Sequence, residues 1–375
     1  MLDAVHQTAT EVPYLGDSTA NQVVLFSAPF EKIAVDKPSF PNYTLPSAAN
    51  PMPQSPSSRP NFTLVLARTS ANPDTDIRTG CFLSQSSPEG TIINETLWAR
   101  DENGWRNQWI VGDLTPSTNY TAFVLQDTRK VSGPIYFATK SGAQLSIIVS
   151  VKRISDRESA AFPCSLVHSL PYCPSVAYSV PIPAPEDGSA TYDASNLPLE
   201  VSEPIVSYLA NFTTVLTTLA CGRDWYSPIV GCDDCQREYR KWLCAISLTR
   251  CSEPSPGNSN GFTIVPSPPS ATGIAAVKEG QRVFSALLPQ STDSTPRNPN
   301  LPSLGRNYNA LLPCLEVCHA VDRACPPFVG FKCPKSIFNA AASYGVGYID
   351  AAKGTKGRGV TGVAQDRWGN VWCAS

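Results

Sequence analysis

Short apolar runs, rich in β-branched and aromatic residues, recur between residues 20 and 143, and turn-forming residues separate them. This spacing is typical of strands rather than of helices. The runs are VVLFSAPF, FTLVLARTS, TGCFLS, GTIINETLWA, QWIVGDL, YTAFVLQD and PIYFATKSG. We therefore predict an antiparallel β-sandwich over residues 20–143, preceded by a tail over residues 1–19.

A tyrosine at the start of one predicted strand bears on the type of sandwich. In Leu114-Thr-Pro-Ser-Thr-Asn-Tyr120, a turn containing proline leads directly into the strand. The pattern resembles the tyrosine corner of fibronectin type III domains, in which the hydroxyl bonds back to the backbone. In the alternative, Tyr120 only packs in the core. The first interpretation predicts a fibronectin III or immunoglobulin-like sandwich.

Residues 41–60, PNYTLPSAANPMPQSPSSRP, interrupt the predicted strands. Proline lacks a backbone donor and is excluded from central strands and helix interiors. We expect a long exposed loop that contributes nothing to the core.

The hydrophobic period changes from two to between three and four after residue 145. SEPIVSYLANFTTVLTTLAC predicts an amphipathic helix with Ser202 as its N-cap and Pro204 in its first turn. Its apolar stripe comprises Ile205, Tyr208, Leu209, Phe212, Leu216 and Leu219.

A second helix is predicted over residues 235–244, and a third begins near Tyr308 and ends at Pro326 and Pro327. In the second helix one side is aromatic and the other basic. Its inward residues are Cys235, Tyr239 and Trp242, and its water-facing residues are Arg237, Arg240 and Lys241. The inward residues of the third are Leu311, Cys314, Leu315, Cys318, Val321 and Cys325.

Two further segments, residues 252–273 and 289–305, are too rich in Pro, Ser and Asn for a packed core and are predicted to be surface loops. Residues 145–375 are thus predicted to form a disulfide-rich helical domain with these two loops. The whole chain is predicted to be an α+β multidomain protein.

Charge excludes one class of partner. The 29 Lys and Arg nearly balance the 31 Asp and Glu, which leaves a formal net charge of −2. Such a chain has no global field to hold a phosphate backbone, so we expect no nucleic-acid partner.

Thirteen cysteines indicate an oxidising compartment. Cys81 stands apart from the rest. The other twelve form an even set that allows six bridges, with the pairing left open. They are Cys164, Cys173, Cys221, Cys232, Cys235, Cys244, Cys251, Cys314, Cys318, Cys325, Cys333 and Cys373.

Five Asn-x-Ser/Thr sequons support passage through the secretory pathway, because glycans are added there. They are Asn42, Asn61, Asn94, Asn119 and Asn211. Asn211 lies near the edge of an apolar helical stripe, which leaves its use open. The start MLDAVHQTATEVPY shows no signal peptide. No run approaches the roughly 18 apolar residues of a spanning helix. We expect membrane association through a partner.

The pair Cys232-Asp-Asp-Cys235 has the spacing of a zinc knuckle or of a redox motif. Zinc would leave most of the other cysteines without a role, and the strand-then-helix setting of a redox motif is missing. Two adjacent acids supply too few oxygens for calcium. We therefore predict disulfides at both cysteines, a solvated helix N-terminus at the acids, and no metal or cofactor.

Nothing in the chain predicts catalysis. His6, His168 and His319 lie in a predicted tail, a loop and a helix, and none has a nucleophile facing it. No nucleophile elbow, P-loop or dinucleotide fingerprint occurs. We predict a protein that is not an enzyme.

Two cysteine blocks, residues 221–251 and 308–334, resemble the cysteine-rich region of the mating-pheromone-induced death protein family, the fungal stretch-activated calcium-channel component. The matching elements are Cys232-x-x-Cys235, Tyr239, Trp242-Leu-Cys244, Cys251, Pro313-Cys314-Leu-x-x-Cys318, Cys325-Pro326 and Gly330-Phe-x-Cys333-Pro334.

The resemblance implies an auxiliary subunit on the extracellular face of the plasma membrane. It would partner a large four-repeat, voltage-gated-like calcium-channel α-subunit in high-affinity, stretch-responsive calcium uptake. A frizzled-like fold is implied for the cysteine-rich region. Family members usually carry a signal sequence, which this chain does not show.

A docking face for that subunit is predicted on the second cysteine-rich helix and the segment before it. The candidate docking residues are Trp225, Tyr226, Trp242, Arg237 and Arg240. The alternative is a secreted frizzled-like module that binds a lipid or peptide in a groove between helices. A pore formed by this chain alone is disfavoured, because no segment could span hydrocarbon as a helix.

Overall fold

The described part of the chain combines antiparallel sheets with a few helices, which confirms the α+β class. The computed structural model describes residues 12–33, 44–69, 79–85, 89–127, 130–142, 161–218, 221, 226–253, 287–293, 296–334, 340, 343–345 and 373–374. Within them the chain forms twelve strands, four α-helices and one 3-10 turn. The α-helices are α1 (Gly80–Gln85), α2 (Leu199–Thr218), α3 (Cys232–Ser247) and α4 (Leu315–Ala324), and the 3-10 turn is Pro327–Val329.

Two antiparallel sheets make up the N-terminal half. One has the strand order β1-β2-β5-β4 and the other the order β3-β6-β7. Their strands are β1 (Tyr14–Ser18), β2 (Val23–Phe26), β3 (Phe62–Arg68), β4 (Thr91–Asp101), β5 (Gly104–Gly112), β6 (Asn119–Gln126) and β7 (Lys130–Ala138). β5 is buried along its whole length because β2 and β4 pair with it on both sides.

The two sheets share one core. Leu25 and Trp109 from the first sheet pack in the same buried cluster as Leu64 and Phe137 from the second. The edge of one ring meets the face of the other between Phe62 and Trp109, with centroids 6.5 Å apart. The apolar faces of the two sheets are therefore buried against each other, as in two stacked layers.

Tyr120 makes the hydrogen bond that a tyrosine corner requires. Its hydroxyl accepts the backbone N–H of Thr115 at 2.9 Å, and its ring, 1% exposed, stacks on Phe137. The interpretation of Tyr120 as a residue that only packs is therefore incomplete. The fibronectin III or immunoglobulin type of the sandwich stays a prediction.

Two predictions for the N-terminal half are wrong. Residues 14–18, expected within a tail, form β1, because Leu15 pairs with Leu25 and joins the shared core. TGCFLS, expected as a strand, includes α1. There the Thr79 hydroxyl accepts a hydrogen bond from the N–H of Phe82. Leu83 is buried, whereas Phe82 is 50% exposed.

The C-terminal half contains short strands as well as helices. β8 (Ser165–Val167) pairs with β9 (Tyr178–Val180), and a three-stranded sheet has the order β10-β12-β11. Its strands are β10 (Arg250–Cys251), β11 (Leu287–Gln290) and β12 (Tyr308–Leu311). The third helix was therefore predicted too early. Tyr308 pairs with Gln290 across the sheet, and helix α4 starts at Leu315.

α2 also differs from the prediction. It starts at Leu199, so Ser202 lies inside the helix with its hydroxyl directed at the Pro198 carbonyl instead of capping the N-terminus. The stripe Ile205, Leu209, Phe212 and Leu216 is buried as predicted. Tyr208, assigned to that stripe, is 57% exposed. Leu219 lies outside the described residues.

The loops carry more of the core than predicted. In the segment 289–305, Leu301 is 6% exposed and packs in the main cluster of the C-terminal half. In the proline-rich segment, Leu45, Ala48 and Met52 pack against three different clusters. Leu166 and Ala177 join Val24 and Phe26 in another cluster, so the two halves of the chain share apolar contacts.

Candidate functional site

Six disulfides join the twelve cysteines that follow residue 160. The pairs are Cys164–Cys251, Cys173–Cys244, Cys221–Cys232, Cys235–Cys325, Cys314–Cys373 and Cys318–Cys333. Cys81 is exposed on α1 and belongs to none of them. The prediction of a disulfide-bonded, cysteine-rich chain is confirmed, and the pairing itself comes from the structure.

The Cys232-x-x-Cys235 motif is divided between two bridges. Cys232 bonds to Cys221, and Cys235 bonds to Cys325, so neither sulfur is a thiolate for zinc or part of a dithiol pair. The Asp234 carboxylate accepts the N–H of Gly231 at 2.8 Å and caps α3. One group of metal-ligand type among the described residues, Cys314, Glu316 and Cys373, has both sulfurs in a disulfide and offers no thiolate.

An aromatic cluster joins α2, α3 and the segment after α4. The rings of Phe212 and Tyr239 stack with centroids 3.6 Å apart, and Trp242 meets Phe331 edge to face at 4.9 Å. The indole N–H of Trp242 donates to the Tyr344 hydroxyl at 2.9 Å. Burial raises the pKa of Tyr239. Most of the surface of Trp242, a predicted docking residue, is therefore buried within the chain.

Arg240 was predicted to face water, and this is wrong. Its side chain is buried, and it donates to the carbonyls of Ala48 (2.7 Å), Ser47 (2.9 Å) and Tyr172 (3.0 Å). Burial lowers the pKa of Arg240 to about 10. Gln236 reaches the same segment and donates to Pro46 at 2.9 Å. The proline-rich segment is thus held on α3 through its backbone carbonyls, which accept hydrogen bonds from Gln236 and Arg240.

The Arg237 side chain also forms ion pairs within the chain. Its guanidinium lies 2.5 Å from the Glu102 carboxylate and 2.6 Å from that of Asp234. Lys241 pairs with Glu102 at 3.6 Å and with Glu238 at 3.0 Å. Burial works against the charge, but the Asp234 hydrogen bond and the nearby carboxylates raise the pKa of Arg237. The basic face predicted for a partner therefore holds the β4–β5 turn of the N-terminal half.

A buried ion cluster lies where the two halves meet. The Asp17 carboxylate, from β1, is 2.9 Å from the Arg250 guanidinium and 4.0 Å from the Lys140 ammonium. It also accepts hydrogen bonds from the N–H and the hydroxyl of Ser179. Burial alone would raise the pKa of Asp17, but these cations and donors outweigh it and hold the pKa below its usual value. The sequence did not predict this cluster, because residues 1–19 were expected to form a tail.

One end of the cysteine-rich half presents uncharged, partly apolar loops, which we call the apolar end (residues 226–231 and 326–331). Ile229 is 86% exposed and Phe328 is 60% exposed. The Tyr226 hydroxyl donates to the Ala324 carbonyl at 2.7 Å, which links the first loop to the last residue of α4, just before the second loop. Of the predicted docking residues, Tyr226 is therefore the one placed beside large exposed side chains. Trp225 lies outside the described residues.

The sequons differ in accessibility. Asn61, Asn119 and Asn211 are exposed and Asn94 is half-buried in β4, while Asn42 lies outside the described residues. Among the residues that the structure describes, no helix combines the length and the apolar character needed to cross a bilayer.

A cavity of about 400 Å³ opens in the C-terminal half. Its lining residues are Ile246, Thr249, Arg297, Pro313, Pro334, Ser343 and Tyr344. Hydroxyl and guanidinium groups make up much of this lining, so the cavity differs from the apolar groove that the ligand-binding alternative requires.

Comparison with known proteins gives consistent matches. The family model Mid1, described as stretch-activated Ca²⁺-permeable channel component, matches residues 2–357. The stretch-activated cation channel MID1 of Cryptococcus neoformans is 35% identical over 98% of this chain and 60% of its own length. MID1 of Saccharomyces cerevisiae is 28% identical, over 60% of this chain and 35% of its own length.

The stretch-activated cation channel yam8 of Schizosaccharomyces pombe is 25% identical over 64% of this chain and 41% of its own length. The chain thus spans 60% or less of the length of these relatives. The family model nevertheless covers nearly all of the present chain. The protein therefore belongs to the Mid1 family of stretch-activated Ca²⁺-permeable channel components.

Proposed function

We propose that this protein is an auxiliary subunit of a plasma-membrane calcium channel and acts from the extracellular side. It docks on a four-repeat, voltage-gated-like α-subunit that forms the pore of a high-affinity, stretch-responsive calcium influx system. Family membership supports the link to calcium permeation. The six disulfides and the exposed sequons support the secretory route and the extracellular placement.

The observation that carries docking is the apolar end, where Ile229 and Phe328 are exposed on two loops that Tyr226 links through the end of α4. Large apolar side chains grouped at one exposed place are typical of interaction sites. The loops contain no charged residue. Since Arg237 and Arg240 are engaged within the chain, the apolar end with Tyr226 is the docking surface that we propose.

Two disulfides hold this surface rigid. Cys232 immediately follows the first loop and is bonded to Cys221, and Cys325 immediately precedes the second and is bonded to Cys235. A surface fixed in advance loses little conformational entropy when a partner binds. The bridges thereby favour association without adding a contact.

Substitutions at the apolar end test the proposal. The variant with Ile229→Lys and Phe328→Lys is expressed with the tagged α-subunit in cells that lack their own copy of this protein. We expect it to be secreted and bridged normally but to lose co-purification with the α-subunit and to lower calcium uptake. The matched control is Leu199→Lys, which charges a residue 68% exposed on α2 and should leave both readouts unchanged.

The proposal is overturned if the unmodified chain does not associate with the α-subunit and calcium uptake is the same with and without it. If association persists in the double variant, the auxiliary role stands and the docking surface is wrong.

We also infer a division into a sandwich domain over 20–143, to which β1 must be added, and a cysteine-rich domain over 145–375. The largest hydrophobic cluster of each half supports this division, and a smaller cluster joins the halves. An experimentally determined structure, compared with fibronectin III and frizzled domains, tests the two fold types.

A further inference from the structure

We propose that an N-glycan on Asn211 covers the exposed face of α2 and is added before α2 packs on α3. This inference rests on the secretory route in the proposed function. It assigns a structural task to a single sequon.

The exposed face of α2 is unusual for a surface helix. From Pro204 to Thr218 the helix contains no charged residue. Tyr208 is 57% exposed and Val215 is 48% exposed on the solvent-facing side, next to the buried stripe. Surface helices normally carry charged or strongly polar residues on this side. The face therefore leaves apolar area in contact with water unless something covers it.

Asn211 lies on that exposed face, toward its border with the buried stripe. It lies three residues after Tyr208 and four before Val215, so the three side chains share one stripe at helical spacing. Asn211 is itself exposed, whereas its neighbour Phe212 is packed against Tyr239. A glycan on Asn211 would leave the helix between the two exposed apolar side chains. Sugar rings present C–H faces that pack on aromatic rings, so Tyr208 is the natural contact.

The sequon's hydroxyl is already occupied in the folded chain. Thr213 Oγ1 donates to the Leu209 carbonyl at 2.7 Å and accepts from Gln236 Nε2 at 2.6 Å. Gln236 is 2% exposed and belongs to α3. A hydroxyl bound on both sides is not available for recognition by a transferase. Glycan transfer therefore precedes the packing of α2 on α3.

The transfer joins the Asn211 side-chain nitrogen to the anomeric carbon of an oligosaccharide. The bond from that carbon to a lipid-linked diphosphate breaks, and the diphosphate leaves with the electron pair while the amide loses one proton. The co-reactant is a lipid-linked oligosaccharide of the secretory lumen, and no electrons change hands.

Site-resolved mass spectrometry and hydroxyl-radical footprinting of the full secreted chain test the proposal. We expect an occupied Asn211 and an oxidation rate at Tyr208 that rises several-fold in Asn211→Gln. Tyr226, which lies outside α2 and is hydrogen-bonded to Ala324, should not change. The matched control is Asn119→Gln, which removes another exposed sequon and should leave Tyr208 protected. If Asn211→Gln is not secreted, enzymatic trimming of the folded chain provides the same comparison.

The possible outcomes separate this inference from the proposed function. If Asn61 and Asn119 carry glycans and Asn211 does not, or if Tyr208 is oxidised equally with and without the glycan, this inference is overturned alone. If no sequon is occupied, the secretory placement fails as well. Thr213→Ser retains the sequon and its hydroxyl and should keep both occupancy and protection.

Discussion

Asp17 and Arg250 form an ion pair in the interior of the protein, with 2.9 Å between carboxylate oxygen and guanidinium nitrogen, although 233 positions separate them in the sequence. Their side chains are 1% and 8% exposed. Asp17 belongs to the N-terminal sheets, whereas Arg250 belongs to the cysteine-rich half. The pair therefore links the two halves through a buried contact.

Removal of one partner of this pair should destabilise the protein strongly. Asp17→Asn leaves the Arg250 charge buried without its carboxylate, and such losses amount to about 3–5 kcal/mol. Denaturant unfolding under non-reducing conditions measures the change. The matched control is Arg68→Met, which breaks the exposed pair with Glu89 and should change the free energy of unfolding by about 1 kcal/mol or less. Equal effects of both variants would contradict the role assigned to Asp17.

Acidification should weaken the fold through His168. This residue is 1% exposed, its ring nitrogens lie 2.8 Å from the Ser169 hydroxyl and 2.9 Å from that of Thr191, and burial lowers its pKa to about 4. The unfolded chain, with a His pKa of about 6.5, binds a proton that the folded chain does not. Stability is thus complete above pH 6.5 and falls by about 3 kcal/mol as the pH drops to 4.

His168→Gln tests this pH dependence, because glutamine does not titrate. Thermal unfolding between pH 7 and pH 4 should show a smaller decline for the variant than for the unmodified chain. Asp17, whose pKa is lowered by its partners, adds a further loss below about pH 4 in both proteins. Parallel curves between pH 6.5 and pH 4 would show that His168 is not the cause.

Arg240→Met should release the proline-rich segment from α3. The substitution removes the donors to Ser47, Ala48 and Tyr172, and buried acceptors left without a donor cost about 1–3 kcal/mol each. Hydrogen exchange should increase at residues 47–50. Lys241→Met changes a more exposed cation on the same helix and serves as the control. Unchanged exchange in Arg240→Met would show that other contacts hold the segment.

The disulfides should differ in their stabilising effect according to the length of chain that they close. The Cys235–Cys325 bridge spans 90 residues and the Cys221–Cys232 bridge spans 11. In the chain-entropy model these loops correspond to about 4.6 and about 2.8 kcal/mol. Replacement of both cysteines by alanine should therefore lower stability and secretion more for the first pair. The reverse order would argue that native-state contacts dominate.

Most strands of the N-terminal half and the number of bridges could be predicted from the sequence because both depend on local patterns. Short apolar runs between turn-forming residues identified β2 through β7, and the even set of twelve cysteines after residue 160 anticipated the disulfide bonding. The pairing could not be predicted. Cys232 and Cys235 are one helical turn apart and yet bond to different partners, since helix packing decides which sulfurs meet.

The elements that were predicted wrongly depend on distant partners. Tyr308–Leu311 has a spacing that suits a helix, and it becomes a strand because Leu287–Gln290 lies alongside it. Arg240 lies on a helix face that looks basic in the sequence, yet it is buried because it donates to backbone carbonyls. Every residue has such a carbonyl, so the sequence does not show which ones Arg240 binds. A buried ion pair such as Asp17–Arg250 cannot be recognised in a single sequence, since the neighbouring residues do not distinguish these two charges from surface charges.

Strand β10 consists of two residues, of which one forms a buried ion pair and the other a disulfide. Arg250 is bound to Asp17 in the first N-terminal sheet, and Cys251 is bonded to Cys164, which precedes β8. Leu166 of β8 in turn packs against Val24 and Phe26. Separation of the two halves therefore requires the Asp17–Arg250 ion pair to break and the cluster of Leu166, Val24 and Phe26 to be exposed to water. The two halves are therefore joined at β10 by a buried ion pair and, through β8, by apolar packing, so that strain applied to one half reaches the other.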